Sequence, residues 1–130
     1  MIIDDQLLDG IAAKARQSER LRMNYNLHAS AESLSQRMFN ALEPGTVLAV
    51  HRHRHTSETF ILLRGKIDVM FYDDLRHETE RFHLDPAQGR YGVEIPAGTW
   101  HSLEVIEPAV IFEAKDGPYR PLTADDMLAE

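Results

Sequence analysis

From Gly45 onward the chain breaks into seven short β-forming runs, each closed by turn residues. No other feature restricts the fold as much. The runs cover residues 46–51, 59–63, 66–72, 78–84, 91–95, 102–106 and 110–115. Between them stand Arg64-Gly65, Asp73-Asp74, Asp85-Pro86, Pro96-Ala97-Gly98, Glu107-Pro108 and Gly117-Pro118. Short strands at near-regular spacing, separated by such breakers, predict a β-sandwich or barrel. The region before Gly45 reads differently. Leu7, Leu8, Ile11, Ala12 and Ala15 fall at three- and four-residue spacing behind Asp4 or Asp5, which predicts a capped helix. Residues 23–28 alternate weakly and are expected to form a strand. Residues 30–42 are expected to form a short helix capped by Ser30 or Ser33, with Leu34, Met38 and Leu42 on one face, stopped by Pro44-Gly45. A short helix behind Thr123 is expected over 123–130. At 130 residues the expectation is one domain. Residues 1–42 are expected to form a helical segment and accessory strand packed on a β domain of 43–120, with 121–130 as a tail or short helix.

The histidines carry the chemistry. Three of seven lie in HRHRH, at 51, 53 and 55. Side chains of equal parity share a strand face, so Val47, Ala49, His51, His53 and His55 are expected on one side, inward, with Arg52 and Arg54 opposite. Two imidazoles spaced in this way can converge on one ion; an isolated pair is also compatible with a solvated basic patch. The chain has no cysteine, which removes disulfides, thiolate metal sites and thiol nucleophiles. Any transition metal would have to rely on imidazole and carboxylate. The net charge of −7 argues against a phosphate-backbone binder, so no nucleic-acid partner is expected. The N-terminus carries acids where a signal peptide is basic, and apolar runs such as 60–63 are short, so no membrane partner and a cytoplasmic location are expected.

Gly45, His51, His53, Glu58 and Gly65 stand at the spacing of the first motif of the cupin superfamily, and Pro96, Gly98 and His101 match the core of the second. The chain resembles that superfamily from Gly45 to about Lys115. Two positions depart from the second motif: Arg90 stands where a glycine is usual, with Gly89 and Gly92 nearby, and Val105 stands where an asparagine is usual. The resemblance implies a mainly β fold, a single cupin barrel of the double-stranded β-helix, jelly-roll type, with short N-terminal helices. It also implies metal ligands His51, His53, Glu58 and His101. Three neutral imidazoles and one carboxylate suit one divalent ion of iron, manganese, nickel, cobalt or zinc. The segments around both motifs, and RMNYNLH before them, more closely resemble the WbuC-type cupin-fold metalloproteins, a bacterial family found with surface-polysaccharide genes. That likeness implies a small-molecule ligand such as a sugar or sugar nucleotide.

Around this set lie weaker candidates for the pocket. His55 shares parity with His53 but is outside the cupin pattern. Trp100, the sole tryptophan, precedes a ligand position and would either wall the pocket or pack in the core. Glu113 and Lys115 alternate with Phe112 and Ala114; a solvated outer face is the first expectation, and an inward acid–base pair the second. Arg90 and Tyr91, with Tyr119 and Arg120, are candidate anion or sugar contacts. His28 could line the pocket, with a surface or locally bonded histidine the first expectation, and His77 and His83 read as solvated. Cupins include isomerases, dioxygenases and decarboxylases, so the resemblance leaves a metal-dependent isomerase or oxygenase-type enzyme beside a non-catalytic ligand-binding or regulatory module. A homodimer is expected, because an exposed sheet edge needs cover.

Overall fold

The computed structural model describes residues 1–128. Helix α1 runs Asp5–Gln17, and Asp4 caps it by accepting the Leu7 N–H at 3.0 Å. Six strands follow: β1 Arg22–Asn26, β2 Ser35–Leu42, β3 Glu58–Tyr72, β4 Glu78–Leu84, β5 Gly92–Ile95 and β6 Trp100–Asp116. All pair antiparallel in one sheet of order β1-β2-β6-β3-β4. The other edge of β3 is shared, with β5 pairing its first four residues and β4 its second half.

The rolled sheet encloses a core built from Phe60, Leu62, Ile67, Val69, Leu103, Val105 and Ile111, closed by Leu84 and Ile95. A second cluster lies outside the roll. There α1 lays Leu8, Ile11 and Ala15 on Phe39, Ala41 and Val110. Arg64 on β3 fixes the start of the helix by ion pairs to Asp9 at 2.6 Å and Asp5 at 2.9 Å. No helix among the described residues is long and apolar enough to cross a membrane.

Three expectations about elements are corrected. Residues 35–42 are strand β2, not part of a helix. Phe39 and Ala41 pack against α1, while Met38, Asn40 and Leu42 line the interior, so both faces are covered. A strand covered on two sides loses its alternation, and the remaining 34/38/42 spacing imitates a helix. Leu34 belongs to neither face and is 77% exposed.

Secondly, the runs at 59–63 and 66–72 are one strand, and those at 102–106 and 110–115 are another. Arg64-Gly65 and Glu107-Pro108 are irregularities in long strands rather than turns. Gly65 has φ +88°, and a Cβ there would stand 2.2 Å from the Pro108 carbonyl oxygen. The two breakers face each other and bend β3 and β6 together.

Thirdly, residues 46–50 belong to no strand, and only His51 forms a bridge. At the C-terminus a single 3-10 turn, Ala124–Asp126, follows Thr123, whose side chain makes no cap bond to the backbone. Residues 129–130 of the expected helix lie outside the described residues.

Candidate metal centre

The segment carrying HRHRH runs between two neighbours and takes its shape from both. On one side His51 and His101 exchange backbone hydrogen bonds of 3.1 and 2.9 Å, and the His53 carbonyl accepts from Gly98 N–H at 2.8 Å. On the other, Arg52 N–H donates to the Asp126 carbonyl at 3.0 Å and Leu128 N–H to the Val50 carbonyl at 2.9 Å. Arg54 Nε meets Asp126 Oδ1 at 2.6 Å, so this C-terminal strap is held by side chains too. Arg52 lies 4.2 Å over the Trp100 ring. The inward row does not extend back to Val47, which is 83% exposed; Leu48 lines the interior instead, under a bond from Ser102 Oγ to its carbonyl at 2.7 Å.

His51 and His53 do share a face. Glu58 opens β3 and His101 stands second in β6, and the four side chains converge with one candidate ligand atom each, all within 4.8 Å of one another. Ring orientation is set from behind. Nδ1 of His51 lies 2.9 Å from the Ala49 carbonyl and Nδ1 of His101 2.9 Å from the Thr99 carbonyl. A carbonyl only accepts, so both Nδ1 atoms carry the proton and both Nε2 lone pairs are free. Glu58 Oε1 lies 2.8 Å from His53 Nε2 and 3.5 Å from His101 Nε2. Even so, neither Glu58 Oε1 nor His101 Nε2 has a hydrogen-bond partner, and both are fully buried.

Electrostatics hold the set ready. Burial, followed by the neighbouring His51, pushes His101 down to about 4. Burial also lowers His51. Burial works to raise Glu58, but the His53 contact, with the charges of His101 and Lys115, outweighs it and brings the carboxyl down to about 2. At neutral pH the set therefore holds an ionised carboxylate with neutral His51 and His101, the protonation state that a cation requires. Orphaned buried acceptors are rare, because each costs about 1–3 kcal/mol. Two aimed at one spot suit a cation.

The centre is the floor of a cavity of about 230 Å³ inside the roll. Glu113 and Lys115 line this cavity rather than a solvated outer face. Trp100 does not line it; it is buried, and its Nε1–H donates to Asp74 Oδ1 at 2.8 Å. Arg90 is exposed and donates to the His83 carbonyl at 2.6 Å, and Tyr91 is 59% exposed, so neither reaches the cavity. Gly92 supplies the close approach expected of a glycine here, since a Cβ on it would lie 2.2 Å from the Phe60 carbonyl oxygen. His55 is exposed and lines, with Arg120, an adjoining pocket that shares His53, Lys115 and Tyr119 with the cavity. His28 is locally bonded to the Arg37 backbone, while His77 and His83 pair with Asp73 and Asp68 at 3.1 and 2.6 Å. Sequence reasoning missed Arg22 and Asn40 in the lining. The available signal was parity, since Arg22 shares a strand face with Asn24, and Asn24 is paired with Asn40.

A family model described as Domain of unknown function (DUF6016) matches residues 3–84. No curated protein matches. Among solved structures, the chain is similar to KdgF from Halomonas sp., at 17% identity over 76% of this chain and 82% of that one, with a TM-score of 0.59. It is similar to the capsular polysaccharide assembling protein CapF from Staphylococcus aureus at 18% identity and TM-score 0.61, over 85% of this chain but only 32% of that one. A cupin-2 domain from Rhodospirillum rubrum aligns at 15% identity and TM-score 0.60, over 81% of this chain and 68% of that one. The fold is a cupin fold, mainly β with one short N-terminal helix.

Proposed function

We propose that this chain, which belongs to the DUF6016 family, holds one divalent transition metal ion through His51, His53, Glu58 and His101 and uses it to engage a small molecule in the cavity above. The observation that carries this reading is the pair of buried, unpartnered acceptors, Glu58 Oε1 and His101 Nε2, aimed at one point inside a protonation-matched set. Iron, manganese, nickel, cobalt and zinc all suit such donors. A bound ion of this kind polarises a carbonyl or activates water. The chain's own residues keep the imidazoles oriented through Ala49 and Thr99 and enclose the ligand between β6, β2 and the histidine segment.

The ligand class follows from likeness. Resemblance to WbuC-type proteins and similarity to a capsular polysaccharide assembling protein support a sugar or sugar-nucleotide ligand in surface-polysaccharide metabolism. The reading includes a cytoplasmic homodimer. Strand β1 ends the sheet with a free edge, and Tyr25 on it is 37% exposed, which gives a second copy a surface to cover.

Elemental analysis of the purified protein tests the centre. Close to one transition-metal ion per chain is expected, with loss of the ion in His51→Ala and in His101→Ala. Unchanged metal content in both variants would refute the assignment.

A further inference from the structure

Two charged side chains of β6 lie in the cavity with no part in the metal set. Lys115 is the register partner of Glu58 across the β3–β6 ladder, and Glu113 is the partner of Phe60. Directly paired residues share a sheet face, so both project inward beside the centre. Among the described residues, the ion pairs of the cavity are those of Glu58 with His53 and His101; Lys115 and Glu113 make none. Arg22 joins the lining from β1, with one Nη committed to the Val47 carbonyl at 3.0 Å and the rest of its donors free. Register places it six residues along the wall from Lys115, opposite Leu42, which in turn faces Ala109.

Lys115 and Arg22 thus bring two cationic side chains to the cavity wall, and among the described residues neither has a carboxylate within ion-pair distance, inside a chain whose net charge is −7. A partly enclosed ammonium without a direct ion pair keeps its donors open, and a concave surface with two cations concentrates anions. The volume of about 230 Å³ lies below the roughly 300–1,000 Å³ of sites for drug-sized molecules, so the part of a ligand held beside the centre is the size of a small acid.

We propose that the cavity takes a small organic anion whose acidic group is bound by Lys115 while its other oxygens face the histidine–glutamate centre. This deepens the reading above and rests on it for the ion beneath. Lys115 is a substrate-binding residue, and Arg22 adds long-range attraction further along the wall. The acidic group is a carboxylate or a phosphate, and the two are separated by the choice of probe.

Ligand-observed NMR titration of the metal-loaded protein tests this, with glycolate, its neutral counterpart glycolamide, and glycerol 3-phosphate as probes. Metal content is measured on every sample. At least one anion is expected to bind about tenfold or more tighter than glycolamide, the scale of one charge-assisted hydrogen bond. Lys115→Met is expected to lose that advantage with metal content and circular dichroism unchanged, and Lys115→Arg to restore most of it. Equal binding of glycolamide, an undiminished anion preference in Lys115→Met, or no binding of either anion would overturn the proposal. A native protein that carries no metal but still shows a Lys115-dependent anion preference would sink the metal reading alone. The identity of the winning anion distinguishes carboxylate from phosphate.

Discussion

Glu113 gives the sharpest stability test, because the fold works against its charge. Its carboxyl titrates near 4.5 in the unfolded chain and at about 7 in the cavity. The folded state therefore binds the proton more tightly. Stability associated with this group is fully present below pH 4.5 and is lost as pH rises through 7. A displacement of this size corresponds to about 3 kcal/mol between the two limits. Glu113 is only half-buried, so solvent reduces the figure, and we expect roughly 1.5–3 kcal/mol. Glu113→Gln mimics the protonated side chain at every pH. Urea unfolding of both proteins in the presence of a chelator should show little difference at about pH 4 and a gain for the variant of that size at about pH 8. Other titrating groups, His101 and Glu58 included, act on both proteins and cancel in the difference. A variant that is equally or less stable at both pH values would refute the reasoning. So would a gain confined to acid.

Other consequences follow from the same geometry. In the Glu113→Gln background, which removes the opposing carboxyl, metal-free protein should lose stability as pH falls from 6.5 toward 4, because His101 must then take up a proton that burial opposes; a flat thermal-melting profile of that variant across the window would count against the buried, neutral state of His101. Gly65→Ala should cost more than about 2 kcal/mol in urea unfolding, since φ is +88° and the added carbon would meet the Pro108 backbone. Asp126→Ala removes the anchor of Arg54 from the histidine segment; it should weaken metal retention against a chelator, although residue 126 touches no ligand atom. Light scattering at the mass of a single chain would contradict the dimer.

Much of the site was legible because its residues are close in sequence and their chemistry is distinctive. Histidines two apart, a glutamate five further on and a histidine behind Pro-x-Gly already point to one ion by residue type and spacing. Strand boundaries were harder. Gly65 and Pro108 are each a strong local breaker, and only their meeting across the ladder shows that each makes room for the other. Strand β2 was misread because α1 covers one face and the cavity the other, which erases the alternation on which strand recognition depends. Glu113 and Lys115 were correctly placed on one side of β6, but parity does not say which side is inward. Here that is set by the pairing with Glu58 and Phe60, a contact between residues more than fifty positions apart. Arg22 and Asn40 enter the lining through the pairing of β1 with β2, with only strand parity to signal them.

The backbone exchange between His51 and His101 has a practical consequence. Each amide proton is tied to the carbonyl of the other residue through an isolated bridge, on the side of His101 away from the β3 ladder. Both should open locally whenever the histidine segment lifts away from β6, at a free energy well below that of global unfolding. Ligation through both rings would fasten the same two residues a second time. Hydrogen exchange at these two amides should therefore slow in step with metal occupancy, which makes the main chain a spectroscopically silent metal's own reporter.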